Sequence, residues 1–398
     1  MTREAARRQL LQIYTAALRA VDGRILTRDA LSNLATESPL LASSANRSVS
    51  VFAIGKAAAS MTLGAGDALG SRLRAALVIT RPDCASGLAQ ALPLAQIIES
   101  AHPLPDARSL AAGAALLAAL RRLDVDTLPL FLISGGASSL VEVLREGVSL
   151  ERLRECNEDG LASGIAIEEF NARRSALSQL KGGRLAELLE GRAALALFIS
   201  DVPGDEPAII GSGLMGPAPR GDAVYRQILA SGDLARDAAV CAARGLGLRA
   251  QDRRPRFAGD AQSVAQHCIA TARVSEAELL VWCGESTVRL PANPGRGGRN
   301  QHLALAAALA LDGCANLCLL AAGTDGSDGH SGDAGALVDG GSCARMRAEG
   351  FDPSLALQRA DAGSALAAAA DLVNTGPTGT NVGDLVMSLR TEPALGMV

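Results

Sequence analysis

Apolar and polar residues follow two rhythms along the chain, and each rhythm predicts a type of secondary structure. Residues 3–21 place Leu10, Ile13, Ala17 and Val21 on one side at helical spacing, which predicts an amphipathic helix. Apolar runs typical of strands occur at 49–54, 75–80, 95–99, 129–133 and 194–200. Helices are predicted at 56–69, 106–122, 137–145, 150–162 and 166–190. Because strands and helices alternate, we expect an α/β fold with a parallel sheet.

This pattern changes at residues 232–256, where an arginine-rich, proline-containing segment follows a helix. We place a domain boundary here, which divides the chain into a domain over 1–240 and a smaller α/β domain over 241–398. In the second domain we predict helices at 260–275 and 299–311 and strands at 278–283, 286–290, 316–322 and 384–389.

Composition excludes several classes of function. The 398 residues are 48% hydrophobic but only 2% aromatic, and the net charge is −4. Few stacking side chains and a negative charge argue against nucleic-acid or membrane partners. The N-terminus lacks the apolar segment of a signal peptide, and no apolar run approaches the roughly 18 residues of a membrane span. We therefore expect a cytoplasmic protein whose partners are small molecules, and the sequence leaves open whether it is a monomer or a homodimer.

The eight cysteines and four histidines show no spacing typical of a metal site. No C-x-x-C pair occurs, and the histidines at 102, 267, 302 and 330 are scattered. We expect free thiols and assign no transition metal.

Glycine-bearing turns follow the apolar runs and suggest an anion site. They lie at 52–56, 131–139, 198–205 and 320–326. A strand that ends in such a turn presents free backbone N–H groups, and the carboxyl ends of parallel strands share one edge of a sheet. The strongest candidate is the turn of Ser134, Gly135, Gly136, Ala137, Ser138 and Ser139. Its alternative interpretation is an ordinary turn with a serine helix cap.

Basic residues near predicted helix starts are the next candidates. Lys56 follows Gly55, and Arg299 lies in the first turn of its helix, where a cation opposes the helix dipole unless an anion is shared. Arg174, Ser178 and Lys181 fall on one face of the predicted helix 166–190. A solvated basic face is the alternative for that group.

Two pairs of aspartates also follow strands. Asp201 and Asp205 flank Val-Pro-Gly, and Asp325 and Asp328 flank Gly-Ser. Carboxylates at strand ends bind Mg²⁺ or accept a proton from a hydroxyl group. Each aspartate by itself is also a common turn residue.

Segments spread over nearly the whole chain match, in order, those of one enzyme family. They are Ala53–Ala58, Ala101–Asp106, Ile133–Ser139, Leu177–Ala186, Ser200–Asp205, Gly284–Val288, Gly297–Gln301, Gly323–Gly326 and Thr375–Asn381. With these segments the chain resembles the class II glycerate kinases, the glycerate 2-kinase family whose C-terminal domain is called MOFRL. The loops at 213–219 and 360–366 depart from the family pattern.

The resemblance implies a fold and a reaction. The expected fold is a Rossmann-like N-terminal domain with helices on both faces of a mostly parallel sheet, and a MOFRL-type C-terminal domain, with the active site in the cleft between them. The expected reaction is phosphorylation of D-glycerate to 2-phosphoglycerate by ATP with Mg²⁺.

The resemblance also assigns residues. It implies key roles for Lys56, Arg299 and Asp325, and our hypothesis for the mechanism is that Asp325 accepts the proton of the glycerate hydroxyl group. The expected substrate- and phosphate-binding residues are Ser134, Gly135, Gly136, Ala137, Ser138, Ser139, Lys181, Asp201, Asp205, Glu285, Asn300 and Thr324. Asp201 and Asp205 are also the expected Mg²⁺ ligands.

Two alternative functions remain open on the sequence. One is a hydroxypyruvate or tartronate semialdehyde reductase using NAD(P)H, although no G-x-G-x-x-G fingerprint follows the first strand. The other is a sensor that binds sugar acids without catalysis.

Overall fold

The computed structural model describes residues 2–37, 47–163 and 167–391 and divides them into two compact units. The insert unit is Asp22–Ser231 with Gly379–Val382. The terminal unit is the chain up to Val21, Gly232–Thr378 and the chain from Gly383 onward.

The insert unit is built on a sheet of six parallel strands. They are β1 (Val49–Ile54), β2 (Leu73–Thr80), β3 (Ala95–Glu99), β4 (Leu128–Ile133), β5 (Ala194–Ile199) and β6 (Val224–Ala230). Their order across the sheet is β3-β2-β1-β4-β5-β6. The chain runs outward from β1 on one side and from β4 on the other, so the connections reverse direction between these two strands. Open α/β sheets bind ligands at such a reversal point.

The middle strands of this sheet are almost entirely apolar, which is why the sequence pattern predicted them. Every residue of β1, β4 and β5 is buried. The rings of Phe52 and Phe131 stack on neighbouring strands with centroids 5.2 Å apart. A parallel sheet covered by helices requires such continuous apolar strands, and the prediction of an α/β fold with a parallel first sheet is confirmed.

The terminal unit contains a mixed sheet. Its strands are β7 (Ala250–Asp252), β8 (Phe257–Asp260), β9 (Leu279–Thr287), β10 (Leu317–Gly323), β11 (Gly335–Asp339), β12 (Leu372–Val373) and β13 (Asp384–Arg390). The order is β12-β11-β10-β13-β9-β7, and β8 also pairs with β9. Strand β13 lies between β10 and β9 and is antiparallel to both.

One continuous strand replaces the two strands predicted at 278–283 and 286–290. Strand β9 changes partner at Gly284, because β13 pairs with residues up to Gly284 and β8 pairs with Gly284 onward. An added Cβ at Gly284 would lie 2.1 Å from the Phe257 carbonyl oxygen. The glycine admits a second neighbouring strand instead of ending the first, so the predicted break was wrong.

The N-terminal helix lies in the terminal unit, although the sequence assigned it to the first domain. The helix is Arg3–Ala20, and its predicted apolar side, with Leu10 and Ile13, is buried. Arg7 donates to the buried carboxylates of Asp339 at 2.6 Å and Asp371 at 2.9 Å. The units also separate at 231/232 rather than 240/241. An apolar stripe predicts that a helix is buried but does not identify the core that buries it.

The helices include predicted ones and others that the sequence did not predict, among them Gly23–Glu37, Ser342–Ala348 and Pro353–Gln358. In the insert unit they are Gly23–Glu37, Ala58–Leu69, Leu88–Ala91, Ala107–Arg121, Ala137–Leu140, Leu150–Ser163, Ile167–Leu177 and Arg184–Glu187. In the terminal unit, after Arg3–Ala20, they are Gly232–Gly245, Ala261–Val274, Arg299–Leu311, Ser342–Ala348, Pro353–Gln358 and Ala362–Ala368. None of the helices in the described ranges combines the length and the apolar character needed to cross a bilayer.

Two predicted helices were too long. The helix at 137–145 ends at Leu140, and the helix at 166–190, whose first residue lies outside the described residues, is interrupted after Leu177. Gly182 and Gly183 have φ values of 65° and 79° there. Left-handed glycines turn the chain, so the segment that joins the two short helices is not helical.

Candidate active site

The turns after β1 and β4 are joined by backbone hydrogen bonds at the reversal point of the insert-unit sheet. The Lys56 N–H donates to the Gly135 carbonyl oxygen at 3.0 Å, and the Ser134 N–H donates to the Ile54 carbonyl oxygen at 3.0 Å. The Ser134 hydroxyl oxygen accepts from the Ala57 N–H at 3.0 Å. The backbone of Lys56 is therefore fixed beside the turn that follows β4.

Side chains packed against this turn leave no room for anything larger than glycine. An added Cβ at Gly135 would lie 1.9 Å from the Asp201 Oδ2 atom and 2.0 Å from the Asn381 Nδ2 atom. Asn381 donates a hydrogen bond to Asp201 at 2.9 Å. Gly136 has a φ of 86°, and Ala137 begins the short helix. Among the described residues, the N–H groups of Gly135 and Gly136 have no acceptor, so they are suited to binding an anion.

The serine hydroxyl groups of the turn have partners within the protein. Besides Ser134, the Ser139 hydroxyl donates to the Pro103 carbonyl oxygen at 2.6 Å. The Ser138 hydroxyl lies 2.9 Å from the Ser212 hydroxyl. The backbone of the turn, more than its hydroxyl groups, therefore presents donors to a ligand.

His102 lies at the same turn and was missed as a site residue. An added Cβ at Gly136 would lie 3.1 Å from His102 Cδ2 and 3.4 Å from Lys56 Cγ. The two half-buried side chains therefore flank the glycine. The sequence did contain a signal, because His102 belongs to one of the segments that carry the family resemblance. The same is true of Asn381.

Lys181 lies in the interior of the insert unit, so the alternative of a solvated basic face is wrong for this residue. Its ammonium group donates to the Glu142 carboxylate, and both side chains are at most 1% exposed. The Ser178 hydroxyl donates to the other Glu142 oxygen. Burial lowers the pKa of Lys181, and the charge of Glu142 opposes that shift. Arg174 instead packs 3.6 Å from the centroid of the Phe170 ring.

In the terminal unit, the residues after β10 form a hydrogen-bonded turn. The N–H and hydroxyl groups of Thr324 both donate to the Gly383 carbonyl oxygen, at 3.0 and 2.7 Å. The Tyr14 hydroxyl donates to the Gly323 carbonyl oxygen at 2.7 Å. Burial, followed by the charge of Asp325, raises the pKa of Tyr14. Asp325, which follows Thr324 at the end of β10, is half-buried.

Arg299 starts its helix between two carboxylates. Its Nε atom donates to Asp384 Oδ2 at 2.7 Å and its Nη2 atom to Asp384 Oδ1 at 3.2 Å, while Nη1 pairs with Glu285. Burial alone would lower the pKa of Arg299, but these negative charges raise it. The anions that a cation needs at a helix N-terminus therefore come from the protein itself. Asp384 was not predicted as a site residue.

Asp328 caps the same helix. The N–H groups of Asn300 and Gln301 donate to its two oxygens at 3.0 and 2.7 Å. An added Cβ at Gly298 would lie 2.4 Å from the Asp328 side chain. Burial raises the pKa of Asp328 to about 7, against the effect of these hydrogen bonds. Asn300, a predicted ligand, is itself buried.

Sheet register brings the terminal-unit residues to one edge. Asp384 is paired with Gly284 on β9 and with Gly323 on β10. Glu285 and Thr324 come directly after these partners. Arg299 contacts two of the carboxylates at this edge, Asp384 and Glu285.

The surroundings of Asp201 and Asp205 limit the way in which these carboxylates can bind a metal ion. Both follow β5 and are half-buried. Within the described residues, no three His, Cys, Asp or Glu side chains are grouped so that they hold a metal ion unaided. Mg²⁺ bound with a nucleotide needs only one or two carboxylates, besides phosphate oxygens and water. The two aspartates fit that limited role.

Comparison with known proteins gives matches along both units. The family model described as a domain of unknown function, DUF4147, matches residues 9–243, and the MOFRL family model matches residues 278–384. A D-glycerate 2-kinase from Thermotoga maritima is 35% identical over 86% of this chain and 90% of its own length. A protein from Agrobacterium vitis that carries the name hydroxypyruvate reductase is 38% identical over 73% of this chain and 86% of its own length. A crystal structure of a glycerate kinase from Thermotoga maritima has a TM-score of 0.82, with 31% identity over 97% of this chain and 100% of that chain.

Proposed function

The chain belongs to the MOFRL-containing glycerate kinase family, and we propose that it transfers the γ-phosphoryl group of ATP to the 2-hydroxyl group of D-glycerate. The observation that carries the proposal is the similarity to a D-glycerate 2-kinase, which extends over 86% of this chain and 90% of that protein. In the reaction, a bond forms between the 2-oxygen and phosphorus while the bond to the ADP oxygen breaks. The products are 2-phosphoglycerate, ADP and a proton.

In the insert unit, we assign anion binding to the turn after β4. The N–H groups of Gly135 and Gly136 bind phosphate oxygens, and the Lys56 ammonium group neutralises their charge. Phosphoryl transfer demands mainly positioning and charge stabilisation, which fixed backbone donors supply without reorganisation. Lys181 acts from the interior by holding Glu142, which follows the turn, and contacts no substrate.

In the terminal unit, we assign Asp325 as the base and Arg299 as the second cation. Asp325 takes the proton of the glycerate 2-hydroxyl group as the oxygen attacks phosphorus. Arg299 binds an anionic group of the substrates, since a guanidinium group matches carboxylate and phosphoryl oxygens. Thr324 orients the Asp325 backbone through its two bonds to Gly383.

Mg²⁺ would enter with ATP and would neutralise its phosphate charge. Asp201 and Asp205 are the side chains assigned to hold it. Asp201 lies against Gly135, beside the proposed phosphate donors, which is the arrangement expected of a carboxylate that shares a cation with phosphate.

The test is an assay of both products on the purified protein. ADP release is followed by coupling to pyruvate kinase and lactate dehydrogenase, with D-glycerate, L-glycerate and a panel of hydroxy acids. Enolase alone, which accepts 2-phosphoglycerate, identifies the phosphorylated position. We expect D-glycerate-dependent ADP and an enolase signal. ADP release without the enolase signal contradicts transfer to the 2-hydroxyl group, and no D-glycerate-dependent ADP contradicts the kinase.

A reductase activity is favoured only by the name of the Agrobacterium relative. The turn after β1 has Gly55 but none of the further glycines that the dinucleotide fingerprint requires. We expect hydroxypyruvate to cause no loss of nicotinamide absorbance with NADH or NADPH. Turnover there would replace the proposal.

A further inference from the structure

We propose that the Glu285 carboxylate pairs with the Arg299 guanidinium group at the position that an anionic group of the substrate takes. The substrate displaces Glu285, while Asp384 keeps Arg299 in place. The inference rests on the proposed function only in taking Arg299 as a residue that binds an anionic group of the substrate. It makes Glu285 an internal competitor rather than a ligand, and it makes Asp384 a positioning residue.

The two carboxylates occupy different parts of the guanidinium group. Asp384 accepts from Nε at 2.7 Å and from Nη2 at 3.2 Å, so it covers one edge with both oxygens. Glu285 pairs with Nη1 at the end of the group. A carboxylate or phosphoryl group that binds Arg299 through its terminal nitrogens needs the position that Glu285 holds.

Exposure differs between the partners and decides which one is displaced. The Asp384 side chain is 2% exposed, whereas Glu285 is 50% and Arg299 is 34% exposed. Removing Arg299 from Asp384 would leave a buried charge without compensation, which is costly. A half-exposed pair contributes little, because water and salt screen it. An incoming anion therefore replaces Glu285 and leaves Asp384 in place.

The sheet also fixes Asp384 more firmly than Glu285. Asp384 begins β13, which has a paired strand on each side at this position. An added Cβ at Gly323 would lie 3.4 Å from Asp384 Oδ1, so the Asp384 carboxylate packs against Gly323 on the neighbouring strand. Glu285 is on β9 with a half-exposed side chain, which can turn away from Arg299 without disturbing the strand.

The exchange gives the site selectivity. Without substrate, Glu285 neutralises a cation at a helix N-terminus. Weakly binding anions gain too little to displace it. Ligands with a carboxylate or phosphoryl group placed for two-point binding do displace it, since their bonds to Arg299 replace the one that is lost.

The experiment compares anion affinity in matched variants without ATP. Dissociation constants for D-glycerate and for inorganic phosphate are measured by calorimetry on the full-length wild-type protein and on Glu285→Gln. We expect both dissociation constants to fall about two- to fivefold in the variant. The ligand then no longer has to break the half-exposed Glu285–Arg299 ion pair, whose small free energy adds to the free energy of binding. Glu278→Gln is the control, since Glu278 precedes the same strand and pairs with exposed Arg249. It should leave both constants unchanged.

A second comparison shows whether the effect passes through Arg299. In an Arg299→Gln background, which removes the cation, Glu285→Gln should give no gain in affinity. Asp384→Asn should weaken binding at least about tenfold while Trp282 fluorescence reports a folded terminal unit, because the guanidinium group loses its fixed edge. Unchanged or weaker binding in Glu285→Gln overturns the proposal, as does a gain that persists in the Arg299→Gln background.

Failure of the proposed function would look different. If the protein releases no ADP with D-glycerate and yet Glu285→Gln binds phosphate more tightly through Arg299, the kinase proposal fails and the exchange at Arg299 stands. If the kinase assay succeeds and Glu285→Gln does not bind D-glycerate more tightly, only the exchange fails.

Discussion

At the scale of single residues, the two lysines differ from all other basic positions. Of the 38 Lys and Arg residues, only Lys56 and Lys181 are lysines. An ammonium group is a compact charge with three donors, whereas a guanidinium group is planar and larger. Lys181 is enclosed beside Glu142, and Lys56 follows the tip of β1. Because every other basic residue is an arginine, we infer that the compact shape of the ammonium group matters at both positions.

Replacement of Lys56 tests its catalytic role. Lys56→Ala should lower kcat about 100- to 1000-fold, because a preorganised charge at the transferring group is lost. Lys56→Arg should recover little of this activity, since the two cations differ in shape. Exposed Arg74 on β2 provides the control, and Arg74→Ala should retain wild-type kcat. Steady-state kinetics with thermal melts of each variant decide the matter; full activity in Lys56→Ala removes the residue from the mechanism.

The buried Lys181–Glu142 pair gives a prediction about stability. Lys181→Met leaves the Glu142 carboxylate buried without a cation and should lower the free energy of unfolding by about 3–5 kcal/mol. The double variant Lys181→Met/Glu142→Leu should recover most of that loss, because neither member of the ion pair then stays buried without the other. Urea unfolding followed by circular dichroism measures both. A double variant no more stable than the single one would contradict this account.

Asp328 gives a prediction about pH. Its folded-state pKa is raised to about 7 by burial, so the folded protein keeps a proton that the unfolded chain releases near pH 4. The contribution of Asp328 to stability is present below that lower pH and is lost as pH rises toward 7. The loss is at most about 1.4 kcal/mol per pH unit. Asp328→Asn should lack this dependence when urea unfolding is compared across pH, and equal slopes would contradict the shift.

At the scale of elements, periodic patterns predicted many helices and strands well, and glycines caused two of the errors. The Arg3–Ala20 and Arg299–Leu311 helices and strands β1 and β4 lie within two residues of their predicted bounds. These two fall at Gly182–Gly183, where a predicted helix turns, and at Gly284, where a predicted break between two strands lies within one continuous strand. Glycine permits either outcome, and the neighbouring backbone decides which one occurs.

The attachment of the N-terminal helix is testable with two adjacent arginines. Arg7 pairs with two buried carboxylates, whereas Arg8 pairs with exposed Glu4. Arg7→Ala should destabilise the terminal unit by about 1–3 kcal/mol, although Arg345 still reaches the same carboxylates. Arg8→Ala should change stability by less than about 0.5 kcal/mol. The single tryptophan, Trp282, lies in β9, so its fluorescence during urea unfolding reports this unit. Equal effects of the two variants would contradict the assignment.

At the scale of the whole molecule, the chain order makes residues 22–231 an insertion. The terminal unit contains the chain before residue 22 and after residue 231, and residues 379–382 return to the insert unit. Strand β13 itself stays in the terminal sheet. The sequence predicted a simple succession of two domains, because composition changes only once, near residue 232.

Fragments distinguish an insertion from a succession. A fragment of residues 232–398 lacks the N-terminal helix, whose Leu10 and Ile13 are buried in the whole protein. The fragment should therefore be unstable or aggregate. The same fragment joined through a short linker to residues 1–21 should unfold cooperatively. Residues 22–231 alone should fold, weakened by the absence of 379–382. Circular dichroism and urea unfolding of each fragment provide the measurements. A 232–398 fragment as stable as the joined one would show that the helix is dispensable.

The sequence by itself determined the family, the α/β class, most strands and the turns that carry Lys56 and Gly135, because these depend on local spacing and on residue types that neighbouring residues constrain. Only the tertiary structure decided which core buries the first helix, that Lys181 faces Glu142, and that Arg299 lies between Asp384 and Glu285. Each of these pairings joins residues far apart in the chain. Their partners are set by the order and register of strands, which no local pattern contains.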